Sequence, residues 1–465
     1  MKYNIGGIYP LPPLGLAYIA SLLEQNGFCV DILDMPALKI KVEDLNNLFK
    51  KNQYDAYGIS CTIFNLSEGV KIANLIKGIN QASRVVLGGH CNAFSSKVIF
   101  KYGTGFDVLV RGEGEETMLR LCSLWKKQES DAKLSEISGI SFKDNGNIID
   151  TPKPPYLNLD EIPFPARHLL PYRYYKMHPP FNLYSPVTLV ETARGCMYNC
   201  TFCSISQPLR ERPVSKVIEE IKEVIKNFGI REIHFVDPNF TVKPERIIEL
   251  CNQLIREKIK VAWSCETRIN PVSDILLNKM WKAGCYMIAY GVESGSQEVL
   301  NYLNKGITKN EIINTFKLTR KSGIRTTAYL MLGLPRENNS TFRETLNLVK
   351  RIEPDYVLYT ELFPVPNSFT SNQPLGSWQA AEEALAEYYI LQKDIFGRNS
   401  FAGHPKRTIK RRHLLATISF YFRVKYIFIR LWRLKNIREV FNLLNGTYLL
   451  LIEVMNLKSK HVFKR

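Results

Sequence analysis

The chain has 465 residues, 45% of them hydrophobic and 23% charged, which is enough for two or three domains with cores of their own and excludes disorder as the default reading. Ten cysteines, scattered except for one trio, fit a reducing compartment better than a disulfide framework. The formal net charge is +18, and residues 401–465 hold +13 of it, with fifteen Lys or Arg against two Glu.

The start, "MKYNIGGIYPLPPLGL", lacks a basic end followed by an apolar run and a small-residue cleavage site, so no cleavable signal and a cytoplasmic chain are expected. "PLGLAYIASLLEQNG" has helical periodicity and stops at Gly27, followed by the β-rich run "FCVDILDM". "YDAYGIS" and "RVVLGG" read as strands with the helix "NLSEGVKIANLIKGIN" between them, and "DVLVRGEGEE" repeats the pattern before "TMLRLCSLW". Short apolar strands separated by single helices predict an α/β, doubly wound, Rossmann-like parallel sheet over residues 1–130. Ligands bind such sheets beyond the carboxyl ends of the strands, where Ser60, Thr62, Gly88, Gly89, Gly112, Glu113 and Gly114 fall.

Residues 131–180 change texture: "ISGISFKDNGNIID" predicts a hairpin about Asn145-Gly146, and "TPKPPYLNLDEIPFPARHLLPY" predicts an ordered Pro-rich connector. Alternation resumes over 181–375 with "VTLVETARG", "EIHFVDPNF", "VAWSCETRI", "YMIAYGVESG", "TTAYLMLGLP" and "DYVLYTELFPVP". Six strands with five intervening helices predict a partial TIM-type barrel, with the unusual polar residues on its active face at the strands' C-terminal ends. Residues 376–465 predict a basic helical region. Its apolar runs "LLATISFYF", "YIFI" and "TYLLLIEVM" are broken by Arg423, Lys425, Arg430 and Glu453, so none reaches the roughly 18 residues a membrane span needs. Packing on the main body, an anionic membrane surface and a polyanion are the three readings of this tail, with nucleic acid the least favoured.

The most specific signal is "RGCMYNCTFCSI", with Cys196, Cys200 and Cys203 in eight residues after the first barrel strand. A structural zinc site needs four closed ligands, and His178 and His234 lie outside any partner spacing. Three thiolates on one loop can instead hold three irons of a cubane and leave the fourth open to bind something. With this motif the chain resembles the radical S-adenosylmethionine (SAM) superfamily. The resemblance implies a [4Fe-4S] cluster whose open iron is chelated by SAM, a 5'-deoxyadenosyl radical that abstracts hydrogen, and a reducing donor such as ferredoxin or flavodoxin. It also implies SAM-binding roles for Phe202, for Asp237 and Asn239 of "FVDPNF", for Arg268 of "ETRIN", for Glu293 and Ser294 of "GVESG", and for Gly333 of "GLP".

"PPLGLAYIASLLEQNGFCVDILDM", "GIS", "VVLGGH", "VRGEGEE" and "LDEIPFPARHLL" resemble the cobalamin-binding subgroup, which contains methylases and the anaerobic oxidative cyclase of bacteriochlorophyll synthesis; the resemblance spans roughly residues 5–370. It implies cobalamin at the first-domain residues named above and at His90. No Asp-x-His-x-x-Gly motif is present, so His90 is read as lining the pocket rather than as a cobalt ligand. Only "MKYNIGGIY" stands where the family has a complete first strand, whose loss would leave a gap in the sheet, so either residues missing at the start or a degenerate domain is expected. The implied chemistry is methyl transfer from methylcobalamin to a substrate radical on a small molecule, and the basic, aromatic tail points to a hydrophobic or lipid-like one, with peripheral membrane contact. The alternatives are oxidation or cyclisation without methyl transfer, a methylthiotransferase with a second cluster at Cys61 and Cys91, and a non-catalytic corrinoid module. Cys29 lies on the wrong side of the first helix for that second cluster, and Cys122, Cys251, Cys265 and Cys285 are expected to fill core positions.

Overall fold

The computed structural model describes residues 10–177, 183–205, 207–270, 272–363, 378–394, 397–400, 402–427 and 440. The described residues form two compact units, one built mainly from those within 12–174 and 364–395, the other mainly from those within 175–363 and 396–465.

The first unit begins with α1 (Leu14–Gln25), ended where Gly27 takes φ +75°. It continues through α2 (Leu45–Lys51), β1 (Ala56–Ser60), α3 (Leu66–Ile79), β2 (Arg84–Gly88), α4 (Ser96–Tyr102), β3 (Val108–Val110) and α5 (Glu115–Lys126). β1, β2 and β3 are parallel neighbours, with Ser60 opposite Gly88 and Val86 opposite Val108. The apolar runs of β2 and β3 bury Val86, Val108 and Val110 against Met118, Leu121 and Leu124 of α5.

Two expectations change here. The hairpin assigned to the connector, β4 (Ile140–Asp144) and β5 (Asn147–Asp150), extends this sheet antiparallel to β3. Its tight turn works because Asn145 and Gly146 both hold positive φ, +47° and +81°, the requirement of a hairpin turn whose twist matches its strands. Ile140 and Phe142 are thereby carried into the core beside β3. The β-rich run at residues 28–33, by contrast, belongs to no ladder, and β1 is the last strand of the described sheet on that side. A strand is made by its partner's hydrogen bonds, and among the described residues no strand pairs with this run. The first nine residues lie outside the described ones.

The second unit is a six-stranded, wholly parallel sheet whose strands neighbour one another in chain order: β6 (Val187–Val190), β7 (Glu232–Phe235), β8 (Ala262–Thr267), β9 (Cys285–Glu293), β10 (Arg325–Leu332) and β11 (Tyr356–Glu361). All six expected strands are present. The helices are α6 (Val214–Phe228), α7 (Pro244–Arg256), α8 (Asp274–Lys282), a short α9 (Gln297–Tyr302), α10 (Lys309–Lys321) and α11 (Asn339–Ile352). α6 shows why its sequence folds this way: Val214, Val217, Ile218, Ile221 and Val224 recur at helical spacing and are buried, and Gly229 closes the helix at φ +62°. Its one buried acid, Glu220, is paired with Arg212.

The region expected as one C-terminal appendage is shared. The helix Trp378–Tyr389 belongs to the first unit, where Glu383 pairs with Lys101 at 2.7 Å and Glu382 accepts from the Ser95 amide. α12 (Lys406–Tyr421) belongs to the second, burying Ile409, Ala416 and Phe420. The Tyr421 hydroxyl donates to the Val357 carbonyl at 2.7 Å and accepts from its amide at 3.1 Å. The run "LLATISFYF" therefore lies at the end of α12, while "TYLLLIEVM" lies outside the described residues. No helix among the described residues is long and apolar enough to cross a membrane.

Trp263 shows where the second core is most committed. It is fully buried, donates from Nε1 to the Ala283 carbonyl at 2.8 Å, and packs against Phe235 and Phe240. Trp263→Ala is expected to cost about 3–5 kcal/mol of stability, read as a lowered urea midpoint in a denaturation curve.

Candidate active site

The cysteine loop leaves the sheet after β6 and is closed at its neck by a two-residue antiparallel ladder, Ala193–Arg194 against Arg210–Glu211. Gly195 follows with φ +82°, and a Cβ there would lie 2.1 Å from the Pro208 carbonyl oxygen, so the neck accepts only glycine. Inside it, Cys196 N donates to Gln207 O at 3.1 Å and Cys203 N to Cys200 O at 3.1 Å. The turn after α9 holds the far side: Thr201 N donates to Leu303 O at 3.0 Å and Asn304 Nδ2 to Asn199 O at 2.8 Å. Phe202 packs against Val299, Leu303, Leu334 and Leu362. Cys196 and Cys200 are half-buried and Cys203 is exposed.

Several other expected SAM residues sit at the C-terminal ends of neighbouring strands. Arg268, directly after β8, donates from Nη1 to Cys200 Sγ at 3.0 Å, donates from Nη2 to the Lys305 carbonyl, and lies over the Tyr198 ring at 3.9 Å. Glu293, the last residue of β9, pairs with Lys305 at 2.7 Å in a largely buried contact. The Lys305 ammonium stands 5.6 Å over the Phe202 ring. A Cβ at Gly291 would meet Glu293 Oε1 at 2.6 Å and Lys305 Nζ at 2.9 Å, so the pair occupies space that only glycine leaves. Asn239 accepts at Oδ1 from Thr267 Oγ1 at 2.7 Å and from Arg268 N at 3.2 Å.

Others are bound up in the scaffold. Asp237 accepts from Thr192 N at 2.6 Å with one carboxylate oxygen and from the Thr192 hydroxyl with the other, tying the end of β6 to the end of β7. Ser294 accepts from Ser296 N at 3.2 Å. Gly333, at φ +73°, faces Ile409 of α12, whose Cδ1 a Cβ would meet at 2.6 Å. Lys305, Tyr198 and Asn270 were not singled out in the sequence. Lys305 sits in the turn after α9, where neither periodicity nor motif spacing marks it.

No three His, Cys, Asp or Glu side chains among the described residues are gathered as metal ligands in the structure as it stands. The donor set nevertheless fits the implied cofactors. Asn239 Nδ2, Arg268 Nε and Asn270 Oδ1 are buried polar atoms without a hydrogen-bond partner among the described residues, and such atoms are costly unless something satisfies them. The amino, carboxylate and ribose groups of SAM are partners of the required kinds. Three thiols on one glycine-necked loop suit a cluster with an open iron.

In the first unit, Ser60, Gly88 and Gly89 lie at the C-terminal edge of β1 and β2, and Gly112, Glu113 and Gly114 follow β3. Gly89, φ +91°, lets the chain pass where a Cβ would be 2.5 Å from Cys61 O. Thr62 engages Asn65 Oδ1 with both its amide, at 2.7 Å, and its hydroxyl, at 3.0 Å. Glu113 accepts from Leu157 N at 3.0 Å and so anchors the Pro-rich connector. Gly112 holds φ +91°, and at Gly114 a Cβ would press on Ile19 of α1 at 3.0 Å. His90 is exposed. Cys61 and Cys91 are buried, and burial pushes the Cys61 thiol up to about 12 and raises Cys91 as well. Both are therefore held as thiols in the protein alone, while Cys29 is exposed. Cys251, Cys265 and Cys285 are buried core residues as expected; Cys122 is only half-buried.

Comparison with known proteins decides the family. Residues 190–349 match the radical SAM superfamily and residues 8–121 match the B12 binding domain. An uncharacterized methyltransferase of Pyrococcus horikoshii is 32% identical over 362 residues, 77% of each chain. The chain belongs to the cobalamin-binding branch of the radical SAM superfamily. Its cofactors are those of the family: a [4Fe-4S] cluster, SAM and cobalamin. The anaerobic magnesium-protoporphyrin IX monomethyl ester cyclase of Rubrivivax gelatinosus is 28% identical, covering 77% of this chain and 65% of the cyclase. The solved structure of the cobalamin-dependent radical enzyme OxsB, with aqua-cobalamin and SAM bound, superposes at a TM-score of 0.67 with 18% identity, covering 97% of this chain and 69% of OxsB; this likeness is one of fold.

Asp237 gives a pH dependence with a definite sign. Burial raises its carboxyl from the ordinary 3.8 to about 6 despite the Thr192 hydrogen bonds. The folded chain thus holds a proton that the unfolded chain has released. Stability from this group is complete below about pH 4 and is lost as pH rises through about 6, by about 3 kcal/mol in full. The urea midpoint of the wild type is expected to decline between about pH 4 and pH 6 more steeply than that of Asp237→Asn.

Proposed function

We propose that this radical SAM enzyme is a methylase that transfers a methyl group to an unactivated carbon of a small molecule. The observation that carries the reading is the joining, in one chain, of a three-cysteine loop braced by Arg268 and the Lys305–Glu293 pair with a B12 binding domain. When bound, the cluster supplies the electron that cleaves SAM to methionine and a 5'-deoxyadenosyl radical, and cobalamin carries the methyl group to be transferred. The chain's residues bind and orient. Asn239 Nδ2 and Arg268 Nε offer donors, Asn270 Oδ1 an acceptor, and Phe202 an apolar face. The Lys305–Glu293 pair is a fixed, nearly solvent-free dipole at the end of β9, which orients polar groups more strongly than an exposed pair. The electron comes from a small reductant such as ferredoxin or flavodoxin. The methyltransferase name of the Pyrococcus relative supports methyl transfer over the cyclisation named for the Rubrivivax relative.

A hydrophobic or lipid-like substrate is favoured by one observation. The outer stripe of α12 carries exposed Arg407 and Arg411 followed by Leu415 (47% exposed), with exposed Phe422 (49%), Val424 and Ile427 beyond its end. Basic and then apolar groups on one stripe suit an anionic lipid surface. Vesicles containing phosphatidylserine are expected to retain the protein at low salt and release it at high salt; no retention at low salt removes this reading.

The enzymatic reading is tested by anaerobic reconstitution with iron, sulfide and hydroxocobalamin. About four irons per chain, one corrin and reductive formation of 5'-deoxyadenosine are expected, with label from methyl-deuterated SAM appearing in the product. SAM cleavage in a protein that takes up no corrin would rule out the methylase.

A further inference from the structure

Arg268 is a buried cation without an acidic partner. Its side chain belongs to a residue only 5% exposed, and no carboxylate pairs with it among the described residues. Burial of a charge is costly unless another charge or a set of hydrogen bonds compensates. The atoms that do surround it are on the cluster loop or face it: Cys200 Sγ at 3.0 Å from Nη1, the Tyr198 ring at 3.9 Å from the guanidinium carbon, and the Lys305 carbonyl at Nη2. Its backbone is fixed too, since Arg268 N donates to Asn239 Oδ1 at 3.2 Å. The guanidinium is therefore braced on three sides before any ligand arrives.

The three cysteines are not treated alike. Cys200 receives a charged N–H donor, Cys203 receives the neutral backbone amide of Ile205 at a longer 3.5 Å, and Cys196 Sγ has no donor among the described residues. Hydrogen bonds to the ligating sulfurs and the net charge beside a cluster set its reduction potential, and outer partners also fix ligand orientation. A cation hydrogen-bonded to a thiolate stabilises the more negative, reduced cluster more than the oxidised one.

We propose that Arg268 is a positioning residue for the iron-sulfur cluster, holding Cys200 through a charge-assisted N–H to sulfur bond and raising the cluster's reduction potential independently of SAM. The inference rests on the cluster reading of the loop. It adds to that reading a role that does not require SAM to be present, so the two can fail separately.

The test is a redox titration of the reconstituted full-length holoenzyme, followed by electron paramagnetic resonance, in the absence of SAM. Arg268→Gln is expected to shift the midpoint to more negative potential at unchanged iron content, and Arg268→Lys, which keeps the charge, to retain most of the wild-type value. Tyr198→Leu, which removes the ring but leaves the cation, is expected to give a smaller shift of the same sign and keeps the test open if Arg268→Gln assembles no cluster. Unchanged midpoints in all three, with loss of SAM affinity in Arg268→Gln, would assign the residue to SAM alone and overturn the proposal. A wild-type protein that assembles no cluster would overturn both this inference and the reading beneath it.

Discussion

Everything in the second unit depends on keeping three thiols together on a loop that has no regular structure of its own. Thiolates repel one another and free thiols oxidise, so such a loop must be held by its neighbours. The hold comes from four features: the ladder at its neck, the glycine that lets the neck pass Pro208, the backbone bonds from the turn after α9, and the guanidinium on Cys200. The ladder and the glycine close the loop's own neck after β6, while the turn after α9 and Arg268 reach it from the ends of β9 and β8. The cofactor site is a property of the sheet's edge more than of the motif.

The parallel sheet explains why those reaching residues are available at all. When strands run parallel in chain order, each strand's C-terminal end opens on the same edge, and the loop after it is free to carry chemistry. Thr192, Asn239, Arg268 and Glu293 follow or end four successive strands. They are linked in sequence by short contacts, Asp237 to Thr192, Asn239 to Thr267 and Arg268, Arg268 to Cys200, and Lys305 to both Glu293 and the Arg268 fork. The network is nearly closed, yet among the described residues Asn239 Nδ2, Arg268 Nε and Asn270 Oδ1 find no partner. Buried polar atoms of this kind are costly until something satisfies them, and these three lie beside the cysteine loop's neighbours.

Much of this was legible from residue order. The six barrel strands were visible because each is a short apolar run ending in polar or small residues, and the cysteine trio because its spacing is rare. The hairpin turn at Asn145-Gly146 was legible from turn chemistry, but its joining to the first sheet was not, since a hairpin's partner is a tertiary choice. The extended run at 28–33 misled because alternation signals an extended chain and says nothing of whether a neighbouring strand exists. Asp237 fell on a family pattern, yet its oxygens are spent on Thr192. Lys305 was invisible because its role comes from lying opposite Glu293 and Phe202 in space, which no local signal records.

The central claim is that the loop carries a cluster with an open iron that SAM occupies. The most direct measurement is the electron paramagnetic resonance spectrum of the reduced, reconstituted protein before and after SAM is added under strictly anaerobic conditions. The account predicts a [4Fe-4S] signal whose g-values shift when SAM binds the open iron. A cluster spectrum that SAM leaves unchanged, or a closed mononuclear iron site in its place, would contradict it.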